Sequence, residues 1–151
     1  MAQDDNGTGT GTVISPTSWV ADQARLYEES GGTEGTTMQG APCLLLDYRG
    51  RRTGQWRRTV LIYDRDGDDY LIVASYGGSD RHPQWYLNIQ ADPEVRLRVG
   101  TERFAARAET LSPQEKARVW PHLVELFAPY EGYQKTTERD IPVVRLTRIE
   151  G

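Results

Sequence analysis

The densest chemistry in this chain is a cationic decapeptide. Residues 49–58 (RGRRTGQWRR) hold five arginines and no acid; the 151-residue chain carries a net −4, so the other 141 residues carry −9. Guanidinium groups grip phosphate and carboxylate oxygens bidentately. On a turn that runs into a strand, Arg51, Arg52 and Arg57 are spaced to converge on one anion. Taken alone, the stretch reads first as a solvated turn balancing an acidic remainder. General nucleic-acid and membrane binders spread basic charge over a whole face, so the concentration argues for a local anion site and against those partners.

Three further segments carry usable groups. ASYGG (74–78) is an apolar strand end opening into two glycines, where freed backbone N–H groups can face an anion, although such a pair alone is more often a turn. In HPQWYLN (82–88), Trp85 and Tyr86 can wall an aromatic ligand and Asn88 can bond a heterocycle edge; the plainer reading is a helix packed into the core. In the segment from Pro129, Tyr130 and Tyr133 fall on one helical face. A phenol of pKa about 10 can donate to a developing oxyanion, or can simply pack with its hydroxyl in water. No Ser/His/Asp arrangement or catalytic carboxylate pair competes, which argues against hydrolysis and toward chemistry borrowed from a cofactor. Cys43 is the single cysteine, and the two histidines, His82 and His122, have no metal-ligand spacing.

These groups need a scaffold, and the pattern supplies one. Residues 2–12 are polar and Gly/Thr-rich, which predicts a disordered tail over 1–12 and a single domain over 13–151. Ser15-Pro16 predicts a helix start, running to about Ser30 with Trp19, Val20, Ala24 and Tyr27 as its apolar stripe. Residues 31–40 read as a connector. Strands are expected over 43–48, 57–63, 70–75, 95–99, 103–108 and 141–147, with turns at 50–54 and 64–69. A short helix capped by Ser79 or Asp80 is expected through about Ala91. Ser112-Pro113-Gln114-Glu115 is a capping box opening a longer helix, interrupted by Pro129. About six strands joined by short links predict an α+β fold, a mostly antiparallel barrel with flanking helices. No segment approaches the ~20 apolar residues of a membrane span and no signal-peptide core is present, so the expected location is cytoplasmic.

In order and spacing, these segments resemble the deazaflavin-dependent nitroreductase family of split β-barrel oxidoreductases, which use reduced coenzyme F420. The resemblance rests on SGGTEGT (30–36), GAPCLLL (40–46), GRRTGQWR (50–57), ASYGGSDRHPQWYLN (74–88), ADPEV (91–95), the Trp120-Pro121 pair and PYEGYQKTTERDIPV (129–143). It implies that Arg51, Arg52, Thr53 and Arg57 bind the coenzyme's phosphate and acidic tail. Arg58, Thr59, Val60, Leu61 and Ile62 would lie beside the deazaflavin ring. Val73, Ala74, Ser75, Tyr76, Gly77 and Gly78 would hold the ring edge and phosphate, with Gln84, Trp85, Tyr86, Leu87 and Asn88 added from the helix. Tyr130 would be the proton donor or carbonyl anchor, Tyr133 a second wall, and Ser75 a hydrogen-bonding group near the reacting centre.

Val60 stands where many relatives have Pro, Tyr76 where the namesake has Lys, and Phe127 where it has a further Tyr. These departures weigh against nitroimidazole reduction and leave coenzyme binding intact. The implied reaction is hydride transfer to an electron-poor double bond in a small apolar substrate, an enone, lactone, quinone or nitroaromatic. The alternatives are an FMN-binding split-barrel oxidoreductase and a non-enzymatic deazaflavin carrier. Relatives of this shape often form homodimers.

Overall fold

In this computed structural model the described residues are 13–14 and 18–149. The expected tail over 1–12 and the Ser15-Pro16 helix start lie outside them. Six long strands carry the sheet: β3 (Ala41–Arg49), β4 (Trp56–Ile62), β6 (Asp69–Val73), β7 (Glu94–Val99), β8 (Glu102–Thr110) and β9 (Val143–Arg148). Three short ones join them, β1 (Val13–Ile14), β2 (Thr37–Met38) and β5 (Asp64–Asp66). The order is β1-β4-β3-β7-β8-β9-β6-β5, with β2 paired to β3. All pairings are antiparallel except β1 on β4. The short β2 and β5 occupy stretches expected as a connector and a turn; Gly67, at φ +63°, lets the chain reverse between Asp66 and its partner Asp69.

Side chains alternate across a strand, and β3 divides the core by that rule. Cys43 and Leu45 enter an outer cluster with Val20, Ala24 and Tyr27 of α1 (Ser18–Glu29), Val119 and Leu123 of α3 (Pro113–Leu126), and Tyr130 of α4 (Pro129–Thr136). Leu44, Leu46 and Tyr48 enter an inner cluster with Trp85, Tyr86 and Ile89 of α2 (Gln84–Ala91). The sheet therefore has helices α1, α3 and α4 on one face and α2 on the other, the α+β split barrel with flanking helices expected from the pattern.

Two local expectations change and one holds. Trp19 is 56% exposed, because Val20, Ala24 and Tyr27 already fill the i, i+4, i+7 stripe that faces the sheet and Trp19 falls on the outer side. Neither Ser79 nor Asp80 caps α2: the helix begins after Pro83, which is extended (ψ 151°) and bars the helical conformation at His82. Asp80 instead accepts from the Thr137 hydroxyl at 2.8 Å. The capping box on α3 is present as expected, Ser112 Oγ accepting from the Glu115 N–H while the Glu115 carboxylate accepts from the Ser112 N–H.

Candidate functional site

The arginine turn is closed by its own backbone, Gly50 N–H donating to Gln55 O and Gly54 N–H to Gly50 O, both at 2.8 Å. It is then fastened to α2. The Asn88 side-chain oxygen accepts from both the N–H and the Nη1 of Arg51 at 2.9 Å, and Gln84 Oε1 accepts from Arg51 Nη2 at 3.2 Å. Arg51 thus anchors the turn, and Asn88, buried, is its socket. A Cβ added at Gly50 would stand 3.1 Å from both Arg57 Nε and Thr53 Oγ1. Two donors, a guanidinium and a hydroxyl, therefore crowd over a residue that only glycine can occupy without displacement. Arg52 is exposed beside them. Among the described residues no carboxylate pairs with Arg52 or Arg57, so the turn carries two cations without partners.

Arg58 goes elsewhere. Adjacent strand residues face opposite ways, Arg57 opposing Tyr48 and Arg58 opposing Asp47. Arg58 is bound bidentately by Asp47 at 2.7 and 2.8 Å. It lines a cleft of about 480 Å³ with Arg96, Arg98 and Arg103, and Glu28 of α1, in the same wall, pairs with Arg98 at 2.6 Å and Arg103 at 2.7 Å. Arg49 lies over the Trp56 ring. Of the five arginines, Arg51, Arg52 and Arg57 belong to the turn.

The second part of the site is the loop after β6. Tyr76 (φ +48°), Gly77 (φ +63°) and Gly78 (φ +82°) are successively left-handed, and the Tyr76 ring is 61% exposed. Gly78 has no room for a side chain: a Cβ would meet Thr136 Oγ1 at 2.4 Å and Tyr133 Cα at 3.0 Å, so the loop lies directly on α4. Arg139, beyond α4, reaches back to the same loop through Ala74 O, Ser75 O and Ser79 O.

The third part is aromatic. Tyr130 and Tyr133 meet edge to face at 6.4 Å, with Phe127 at 4.9 Å and Trp120 at 6.2 Å from Tyr130. Tyr130 is 5% exposed, and burial holds its hydroxyl well above the ordinary phenol range. The group stays protonated and is suited to donating a hydrogen bond rather than releasing a proton. Val60, Ile62 and Val73 share this outer cluster with it, and Tyr133 packs at its margin. Thr59 is buried, Leu61 turns to the inner cluster, and Leu87 is half-buried.

Trp85 and Tyr86 do not wall an open face. They are 8% and 3% exposed in the inner core, Tyr86 sharing a hydrogen bond with the Thr110 hydroxyl at 2.8 Å. The structure thus assembles the arginine turn with Gln84 and Asn88, and the 74–79 loop with α4. Arg139 was missed from the sequence: a cation 57 to 65 residues from its partners leaves no local signal. Among the described residues no three His, Cys, Asp or Glu side chains gather as metal ligands. No described helix is long and apolar enough to cross a membrane.

Known proteins resemble this chain over most of its length. A family model described as F420H(2)-dependent quinone reductase matches residues 19–148. The F420H(2)-dependent quinone reductase Rv1261c of Mycobacterium tuberculosis is 46% identical over 127 residues, 82% of this chain and 85% of that protein. A solved structure described as a domain-swapped dimer is 34% identical, with a TM-score of 0.68 over 87% of this chain and 99% of its own. Another, of an F420-H2 dependent reductase (FDR-A), is also 34% identical, with a TM-score of 0.65 over 70% of this chain and 93% of its own.

Proposed function

The chain belongs to the F420H(2)-dependent quinone reductase family, and we propose on that premise that it reduces a small quinone with hydride from reduced coenzyme F420. It is a coenzyme F420-dependent reductase. The observation that carries the site assignment is the fastened turn, with the Arg57 Nε and Thr53 hydroxyl crowded over Gly50 and Arg52 exposed alongside. Unpaired guanidinium groups beside a hydroxyl and a side-chain-free backbone are a donor set that fits the coenzyme's phosphate and acidic tail. The left-handed backbone of Tyr76, Gly77 and Gly78, with the Tyr76 ring exposed, fits the edge of a flat ring.

When bound, reduced coenzyme F420 supplies a hydride in a two-electron step, so the chain itself needs no redox group. Arg52, Arg57 and Thr53 bind the anionic end, and Arg51, locked by Asn88 and Gln84, holds the turn in register. Val60, Ile62 and Val73 pack in the buried cluster behind Tyr130 and keep water from that side of the site. Tyr130 donates a hydrogen bond to the substrate carbonyl oxygen and stabilises the charge that develops there, while keeping its own proton. Water protonates the reduced oxygen afterward. Tyr133 and Ser75 line the substrate side and the loop edge.

The test is titration of the purified protein with F420 and, separately, with FMN, followed by Trp fluorescence, then turnover on a naphthoquinone and on an enone. Micromolar F420 binding without FMN binding, with quinone turnover exceeding enone turnover, is the expected result. Preference for FMN overturns the coenzyme assignment, and F420 binding without any turnover overturns the reductase reading. The chain is further proposed to act as a homodimer, which light scattering of the same sample measures.

A further inference from the structure

Arg139 follows α4 in the stretch TTERD (136–140) and has no role in the reaction described above. Its setting differs from that of every other described arginine at the site. No Asp or Glu lies within ion-pair distance of it among the described residues, and its donors go to backbone carbonyls. Nε donates to Ser79 O at 2.7 Å, Nη2 to Ser75 O at 2.8 Å and Nη1 to Ala74 O at 3.3 Å. Nη1 also lies 3.1 Å from His82 Nδ1. Only a planar, five-donor fork can span four acceptors in this way; an ammonium group cannot.

The loop it grips needs such a hold. Three successive residues are left-handed and one of them, Tyr76, is not glycine. Two hydrogen bonds close the loop internally, Gly78 N–H to Ser75 O at 2.9 Å and Ser79 N–H to Tyr76 O at 3.1 Å. A trans peptide points its carbonyl and the following N–H in opposite directions. With Ala74 O and Ser75 O turned to Arg139, the N–H groups of Ser75 and Tyr76 face away from it, and neither donates to another described residue. The guanidinium charge behind those carbonyls also polarises the two peptides and strengthens their N–H groups as donors.

We propose that Arg139 is a positioning residue for the reduction: its grip on three carbonyls sets the 74–79 backbone, with the Ser75 and Tyr76 N–H groups outward, in the shape that receives the coenzyme. This rests on the assignment of the loop to the coenzyme in the preceding subsection. Because the loop also lies on α4 at Gly78, the same grip fixes the loop against the helix that carries Tyr130 and Tyr133.

The experiment uses Arg139→Ala and Arg139→Lys in the full chain. F420 affinity, read by Trp quenching, is expected to fall about tenfold or more in both. Millimolar guanidinium chloride restores it in Arg139→Ala, whereas potassium chloride at the same ionic strength does not. The KM for quinone at saturating coenzyme stays at the wild-type value. Without coenzyme, amide hydrogen exchange of 75–79 accelerates in both variants while the rest of the sheet keeps its rate. Wild-type F420 affinity in Arg139→Ala overturns the proposal, as does lost affinity that guanidinium leaves unrestored with 75–79 exchange unchanged. If Arg139→Ala does not fold, wild-type affinity in Arg139→Lys overturns it equally. Failure of the wild-type protein to bind F420 would overturn the coenzyme assignment instead, and the exchange of 75–79 then decides alone whether Arg139 sets the loop.

Discussion

One oxygen of Asn88 accepts two hydrogen bonds from a single residue, the backbone N–H and the Nη1 of Arg51, each at 2.9 Å. This ties the arginine turn to α2 through a buried carboxamide. Asn88→Ala is expected to lower stability by about 1–3 kcal/mol, since a buried acceptor is removed and a charged donor is left without it. Urea unfolding measures the loss. F420 affinity in the folded variant is expected to fall as well; wild-type affinity would show that the turn holds its shape without α2.

Arg52 and Arg57 carry the charge that the turn presents. Replacing both with Ala is expected to weaken F420 binding by about tenfold to several hundredfold, the range for one or two charge-assisted hydrogen bonds. The salt dependence of binding should flatten in the same variant. Arg58→Ala makes the contrast: it breaks the pair with Asp47 on the other face, so it is expected to reduce stability more than coenzyme affinity.

Tyr130 tests the substrate side. Among the described residues nothing hydrogen-bonds its hydroxyl, so Tyr130→Phe should keep the wild-type unfolding midpoint. Turnover at saturating coenzyme is expected to fall tenfold or more while F420 affinity is unchanged. Because burial keeps the phenol protonated far above neutrality, the loss should be the same at pH 6 and pH 8. Wild-type turnover in this variant removes Tyr130 from the mechanism.

His122 of α3 bonds the buried Asp64 carboxylate at 2.5 Å, and the hydrogen bond and charge of Asp64 raise the imidazole's pKa above its usual 6.5. A raised folded pKa contributes stability that is complete below the unfolded value and disappears as pH rises through the folded one. The thermal midpoint of His122→Gln should therefore lie below wild type at pH 5.5 and converge with it by pH 9. A difference that grows with pH would contradict the assignment.

Cys43 lies in the outer cluster at 1% exposure, and burial pushes its thiol up to about 12. Thiolate is the reactive form, so iodoacetamide at pH 8 should leave the native protein unmodified and label it quantitatively in denaturant. Labelling of the native protein, followed by mass spectrometry, would reveal an opening of the cluster beside Tyr130.

Several structural features follow from local pattern. The strict alternation over Val95–Val99, the capping box at Ser112 and the strand-breaking glycines at 77 and 78 are short-range signals, and each element stands where the pattern puts it within a few residues. The α2 start moved because the restraint imposed by Pro83 outweighed two available caps. The motifs from SGGTEGT to PYEGYQKTTERDIPV carried the family, since their joint order survives without any knowledge of contacts.

The sequence by itself determined the elements, the family and which residue types could meet an anion. Only the tertiary structure decided which of them do. Arg57 and Arg58 are chemically identical neighbours, yet strand parity gives one an open turn and the other a carboxylate on the opposite face. Trp85 and Tyr86 read from sequence as ligand walls or, more plainly, as packing, and the inner cluster they join makes them packing. Arg139 gains its role from carbonyls about sixty residues away. Periodicity records which way a side chain points along its own element; what waits on the other side is set by the register of strands distant in sequence.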